Sequence, residues 1–315
     1  MRICIGIVLI ALLLTGCATG NKDAFLNTTP LPTESSTTPP TAQAEASPSP
    51  SPEGTAQPEQ AVPDIGKLKA NFGFADDAGK HILVTRDNQD ELAEMKLINT
   101  AVGDKGKVLA VKFEKWQDGN DNNNGRETAQ NFANLPGYLF TLVDGVASGD
   151  QSYYLTDRAE FILESLVPVE LPSADPESAV EESVRSSIGA AKKREIQQIW
   201  KLADLSEDRQ LYIVQFVRED NDMLFSIVLN TGTSLSFMDY PAVIQEDQSS
   251  VWRVDDGGEV IPDMFSVLFA ADTKEGLLVG LNWWGAEGVN TFFLNQEGDS
   301  FKELDIRYGR YTSPI

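Results

Sequence analysis

Val108-Leu109-Ala110-Val111-Lys112-Phe113-Glu114-Lys115-Trp116 alternates along its length. Leu109, Val111 and Phe113 fall on one side, and Lys112 and Glu114 on the other. A period of two is the signature of a strand with one face in a core and one in water. The same pattern recurs on both sides. Lys80–Arg86 precedes it, and Gly137–Val143 and Gln151–Leu155 follow around the turn residues Asp144-Gly145 and Gly149. Further on, Leu211–Arg218, Met223–Leu229 and Ser234–Met238 are strand candidates separated by short polar clusters. So are Met264–Ala270, Leu277–Trp283, Thr291–Leu294 and Phe301–Arg307. Several are apolar on both faces, which predicts sheet covered by a second layer. Asn88–Ile98 fits either a helical turn or an extended piece.

One segment predicts a helix. Asp175 suits an N-cap and Pro176 the first helical position. Val180, Val184 and Ile188 recur every four residues. Glu177, Glu181 and Glu182 lie near the positive end of the helix dipole, and Lys192, Lys193 and Arg194 near the negative end. The helix ends near Gly189 or continues to Trp200. The expected fold class is α+β, predominantly antiparallel β-sheet meanders with one main α-helix near residues 176–190. Three stretches, from Lys107 to Phe161, Gln210 to Val243 and Met264 to Phe301, each run strand, loop, strand and aromatic-bearing strand. Their unequal spacing is what plain meanders also give.

The N-terminus has a different character. Arg2 precedes an apolar run of twelve residues, Ile3–Leu14. As a helix this run is about 18 Å long, too short for a hydrocarbon core about 30 Å thick, and it fits the apolar region of an export signal. Leu14-Thr15-Gly16-Cys17 follows directly. An aliphatic residue, two small ones and a cysteine in this place resemble the lipobox of bacterial lipoproteins. The resemblance covers the first 17 residues only. It implies diacylglyceryl transfer to the Cys17 thiol, cleavage after Gly16, and anchoring by acyl chains such as palmitate at the outer face of the cytoplasmic membrane.

The other cysteine, Cys4, lies in the segment that would be removed. The mature chain then has no disulfide and no free thiol. Residues 18–63 carry nine of the sixteen prolines among Ser, Thr, Ala and Gln, a composition that buries little and favours extended conformations. Stalks of this kind resemble those of lipoproteins from single-membrane bacteria. The expected organisation is a signal peptide at 1–16 and a lipidated cysteine with its stalk at 17–63. A β-rich part at 64–171 and a helix-plus-β part at 172–315 follow, or a single domain spans 64–315.

The net charge is −23. Residues 1–63 contribute two basic and five acidic side chains, so the rest of the chain carries −20. Such a field argues against nucleic acid and against adhesion to an anionic lipid surface. The positive readings are solubility, cation capture or a basic partner.

Chemistry-bearing residues are sparse. His81 is the only histidine, so a Ser-His-Asp triad must use it, and a zinc site has too few His and Cys ligands. No G-x-S-x-G, S-x-x-K or phosphate-loop motif is present. Adjacent acids such as Asp76-Asp77, Glu181-Glu182 and Asp255-Asp256 point apart on a strand and fit solvated surface. The candidate metal loop is Asp118 to Glu127. Asp118, Asn120, Asp121, Asn122 and Asn124 offer oxygens for Ca²⁺ around Gly125, but Asn131 stands where a calcium loop has a bidentate Glu. No other cofactor is implied. Trp283-Trp284 is the candidate binding surface: both rings pack in the core, or the strand places one in the core and one outside, suited to sugar stacking or a protein partner. The functional expectation is a membrane-anchored, non-enzymatic binding or accessory module for a cell-envelope protein, peptide or glycan. The alternative is a carboxylate-based cell-wall hydrolase, which needs two facing acids.

Overall fold

The computed structural model describes residues 62–173, 175–206, 208–245 and 249–313. Cys17, the apolar leader and all but the last two residues of the proline-rich stretch lie outside them. The described residues belong to one compact unit, built mainly from antiparallel sheet.

The first half is a closed six-stranded barrel. In chain order its elements are β1 (Phe72–Ala75), β2 (His81–Thr85), the one-turn helix α1 (Leu92–Met95), β3 (Thr100–Gly103), β4 (Lys107–Gln117), β5 (Gly137–Leu142) and β6 (Ser152–Thr156). The spatial order is β1-β2-β5-β4-β3-β6, and β1 pairs with β6 to close it. Leu109, Val111 and Phe113 point inward, as their alternation requires, and meet Ile82, Val84, Tyr138, Phe140, Tyr153 and Leu155. Closure removes both sheet edges. It also forces close crossings. A Cβ on Gly137 would lie 2.4 Å from the Val84 carbonyl oxygen, so only glycine fits where β5 passes β2.

The second half is a nine-stranded sheet. After the two-residue strand β7 (Leu166–Val167) comes α2 (Glu182–Lys192), then β8 (Ile196–Asp204), β9 (Gln210–Phe216), β10 (Asp222–Asn230) and β11 (Leu235–Val243). The last strands are β12 (Phe265–Asp272), β13 (Leu277–Gly285), β14 (Gly288–Glu297) and β15 (Ser300–Tyr311). The order is β7-β12-β13-β14-β15-β11-β10-β9-β8. The sheet curls on itself. One apolar cluster receives inward side chains from all nine strands, including Val167, Trp200, Ile213, Phe225, Leu281 and Phe292. The two edges meet at one point, where Glu170 and Asp204 exchange backbone hydrogen bonds of 2.8 Å. The sheet is therefore a roll with its own interior.

Its outer face is covered twice, as strands apolar on both sides demand. Ile188 of α2, with the half-buried Val180 and Val184, packs on Ile199, Tyr212, Val214 and Val228. On the opposite flank Phe269, Leu278 and Phe293 pack against Phe72, Tyr154 and Phe161 of the barrel half. The barrel also hydrogen-bonds to the roll through a turn. Asp104, Lys105 and Gly106 all have positive φ. The Lys105 and Gly106 N–H groups donate to the Val267 and Leu268 carbonyls at 3.2 and 2.9 Å. This is where β12 carries a bulge, whose irregular backbone is free to bond outside the ladder.

The helix starts later than the sequence predicts. Asp175 does cap a turn, with the Ser178 N–H donating to its carboxylate at 3.1 Å. The Pro176 carbonyl, however, accepts the Lys201 N–H of β8 at 3.0 Å and is lost to a helical ladder. Glu181 is extended, and α2 begins at Glu182. Nor does the helix reach Trp200. Lys193 turns left-handed at φ 53°, and Ile196–Asp204 is a strand with Ile199 under α2 and Trp200 inside the roll. Asn88–Ile98 resolves into the short α1. Strands β1, β3, β7 and β8 lay outside the sequence expectation.

Candidate functional site

Trp283 and Trp284 are neighbours on β13, so their side chains leave opposite faces. Trp283 points into the roll and is 7% exposed. It stacks on Phe265 at 5.3 Å between ring centroids and meets Phe225 and Tyr240 edge-on at 5.2 and 5.4 Å. Phe225 in turn stacks on Tyr240 at 4.5 Å, and Trp252 stands perpendicular to it at 5.0 Å. These rings form the floor of one mouth of the roll. The indole N–H of Trp283 is buried and, among the described residues, has no acceptor. Trp284 is half-buried on the other face. It borders a shallow hollow of about 260 Å³ with Arg253, Ile261, Asp263 and Met264.

The walls of the mouth come from β15 and a loop. Phe301 faces the interior, so Glu303, Arg307 and Gly309, on the same side of the strand, face it too. They line a hollow of about 280 Å³ together with Tyr240, Trp283 and Asn290. A second hollow of about 560 Å³, between the 250–254 segment, the 286–288 turn and the end of β15, shares Asn290 and Gly309 with the first. Mouths of β-barrels are common ligand sites, and volumes of this order suit small molecules.

The loop over the mouth is built on Asp256. Its carboxylate accepts the N–H groups of Val251, Trp252 and Arg253 at 2.8, 2.7 and 2.7 Å, and that of Gly258 at 2.9 Å. So held, Trp252 donates its indole N–H to the Tyr240 carbonyl at 2.9 Å. Arg253 donates to the Gly288 carbonyl at 2.9 Å and lies 5.7 Å from the Trp283 ring. Burial lowers the Arg253 pKa, against the pull of Asp256 and Glu287.

Glu303 is the one carboxylate lining the inner hollow. Burial pushes its pKa up, outweighing Arg307 and a hydrogen bond from Tyr240. Arg307 Nε lies 2.9 Å from one carboxylate oxygen, and the Tyr240 hydroxyl donates to the other at 3.5 Å. Burial likewise raises the Tyr240 pKa. A carboxyl group beside a guanidinium and a phenol, over an aromatic floor, can bind a polar group through several hydrogen bonds.

The other sequence candidates lie elsewhere. In the 118–127 loop the Asp118 carboxylate accepts the Trp116 indole N–H at 2.7 Å. Asn120, Asn123 and Asn124 each accept a backbone N–H two residues on, at 2.9, 2.9 and 3.0 Å. The side-chain carbonyls of Asn120 and Asn124 are thus engaged in Asx turns, and Asp121 and Asn122 are exposed. No group of three or more His, Cys, Asp or Glu that could hold a metal occurs among the described residues. His81 pairs with Asp76 at 2.8 Å on the barrel surface, and no serine joins them in a triad among the hydrogen bonds described. Cys17 lies outside the described residues. Sequence reasoning missed Glu303, Arg307, Tyr240 and Trp252. The available signal was the alternation Phe301-x-Glu303-x-Asp305-x-Arg307, which places charges on the same side as an apolar anchor.

Compared with known proteins, the chain matches no family model, no curated sequence and no solved structure. Among the described residues no helix is long and apolar enough to cross a membrane.

Proposed function

We propose that this protein is a lipid-anchored extracytoplasmic binding module, non-enzymatic, that presents its β-rich unit to a cell-envelope partner. The observation that carries the reading is Leu14-Thr15-Gly16-Cys17 directly after a twelve-residue apolar run and ahead of a proline-rich stretch. Two acyl chains, at about 0.8 kcal/mol per buried CH₂, hold such a chain stably to a bilayer. The proline-rich stretch, at about 3.1 Å per residue when extended, gives the folded unit reach away from the surface. The mouth of the roll supports binding, since aromatic floor and polar wall converge there.

A hydrolase is the competing reading. One observation favours it, the raised pKa of Glu303 in a concave site. Glycosidic cleavage needs a second carboxyl across the bond, and the inner hollow lines up only one. Binding is therefore the better-supported reading.

The anchor is tested by metabolic labelling with an alkyne fatty acid in an expressing bacterium. The chain should take up label and partition with membranes, and Cys17→Ala should abolish both. Label that persists in Cys17→Ala, or an unlabelled chain released to the medium, would overturn the anchor. Replacing Glu303 with Gln separates the two functional readings, because loss of a cleavage activity on wall material would favour the hydrolase.

A further inference from the structure

A groove runs between α2 and the outer face of β9–β11, remote in the fold from the mouth of the roll. We infer that it is a binding site for an uncharged oligosaccharide. Its volume is about 830 Å³, within the range of ligand clefts. The floor is formed by the half-buried Phe237, Leu235 and Val184, while Tyr212 beneath them is only 2% exposed. The Phe237 ring is held by Lys192, whose ammonium sits 4.1 Å from its centroid and 2.6 Å from Asp239. Sugar rings bind such surfaces through their C–H faces, and their hydroxyls then need donors and acceptors around the rim.

The rim supplies both. Ser183 and Ser187 face the groove from the helix, and Gln210 and Asn230 from the sheet. Several of these groups are already oriented. Asn230 donates to the Gln210 side-chain carbonyl at 3.1 Å and accepts the Gly232 N–H at 2.9 Å. That leaves the Gln210 amide nitrogen as a donor. Ser187 donates to the Ser183 carbonyl at 2.8 Å, so its oxygen is left to accept. Ser234, in the β10–β11 turn, is fixed by Thr231 at 2.9 Å. Preorganised polar groups lower the ordering cost of binding.

Charge selects among ligands. Glu181, Asp208 and Asp299 line the groove, and both lysines at it are paired, Lys201 with Asp204 at 3.0 Å and Lys192 with Asp239. With the overall charge of −23, an anionic polymer is repelled. Carboxylates accept well from sugar hydroxyls, which makes the rim compatible with an uncharged glycan. The inference extends the binding-module reading to a named site and ligand class. Its test does not depend on acylation of Cys17.

The test is calorimetric titration of the full chain, purified in detergent, with the N-acetylglucosamine tetramer and with cellotetraose. Poly(glycerol phosphate) and tetralysine are the charged controls. At least one neutral tetramer should bind, and neither control should bind as tightly. Ser187 is exposed, so Ser187→Trp fills the groove without touching the core and should weaken binding at least about tenfold. Gln210→Ala, which deletes that donor and the acceptor of the Asn230 amide, should also weaken it. Lys112→Ala, exposed on the barrel, should leave it unchanged. No binding by either neutral tetramer, preferential binding of tetralysine, or binding that survives both groove substitutions would overturn the proposal.

Discussion

The Arg310 guanidinium donates through Nη2 to Asp150 Oδ1 at 2.7 Å, across the seam between roll and barrel. Arg310 is on β15, the last strand, and Asp150 lies two residues before the start of β6. The arginine side chain is fully buried. It also donates to the Glu127 carbonyl at 2.8 and 3.2 Å and to the Asp150 carbonyl at 2.7 Å, and lies 4.3 Å from the centre of the Phe74 ring. One side chain thus satisfies acceptors on two separate barrel segments. Removing it takes the donor from two carbonyls and leaves Asp150 Oδ1 with the Ala129 N–H alone. Arg310→Met should cost about 3 kcal/mol or more in urea unfolding. Arg310→Lys should recover little, since an ammonium cannot serve a planar fork of acceptors. Wild-type stability in the methionine variant would show that the seam is held by the Phe72, Tyr154 and Phe293 contacts instead.

The pH dependence of stability should contain two opposed contributions. Burial raises the Glu303 pKa, so the native state holds that proton more tightly than the unfolded chain does. Its contribution is fully present below the unfolded value near 4.5 and is lost as pH rises through the higher folded value. Asp76 is the reverse case. Burial favours its protonated form, but hydrogen bonds from the His81 ring and the His81 and Lys80 N–H groups outweigh it and lower the pKa. Its contribution is present above 3.8 and is lost as pH falls through the lower folded value. Urea titrations from pH 3 to 7 (about one per unit) should therefore show Glu303→Gln gaining relative to wild type as pH rises, and Asp76→Asn losing. Parallel profiles for all three chains would remove both assignments.

How much of this was legible in the sequence depends on the range of the interaction. The alternation at Leu109, Val111 and Phe113 identified a half-buried strand because it is local. Closure of the barrel was not legible, since it depends on β1 pairing β6 about eighty residues away, and the four residues Phe72–Ala75 are buried throughout and show no alternation. The Val180, Val184 and Ile188 stripe located the helix, while its start was displaced by a hydrogen bond from Lys201. At the site, the Trp283-Trp284 pair was visible as two large rings in one strand. Glu303 and Arg307 were not, because charges on a strand ordinarily mean solvent, and only the curl of the roll turns that face into a mouth.

The asparagine-rich loop offers a test of structure against ion binding. Asn131 is 2% exposed. Its amide donates to Asn123 Oδ1 at 2.9 Å and to the Arg126 carbonyl at 2.7 Å, and its oxygen accepts from Asn134 at 3.1 Å. Asn131→Ala should cost about 1–3 kcal/mol by removing these bonds, although Asn123 Oδ1 keeps the Gly125 N–H. The side-chain carbonyls of Asn120 and Asn124 are committed to backbone N–H groups, so millimolar Ca²⁺ should leave the thermal midpoint where EDTA leaves it. A ligand at about 100 times its Kd would add roughly 2.7 kcal/mol. A calcium-dependent rise abolished by Asp118→Asn and Asp121→Asn would instead make the loop a cation site.

Asn295 points to a stabilising change. It is fully buried in β14, and among the described residues neither its side-chain nitrogen nor its oxygen has a hydrogen-bond partner. A buried amide without partners forfeits the bonds it would make to water in the unfolded chain, at about 1–3 kcal/mol. Leucine is close to asparagine in shape and brings no polar atom. Its backbone N–H and carbonyl keep the ladder with Leu278 and Lys302. Asn295→Leu should therefore raise the midpoint of thermal unfolding, by several degrees if the full desolvation cost is recovered. Asn295→Ala removes the same polar atoms but leaves a void, so it should gain less or lose. The order leucine above wild type, with alanine below leucine, identifies unpaired polarity as the defect. A leucine variant less stable than wild type would mean that the position is limited by space, and that the amide is held there by packing.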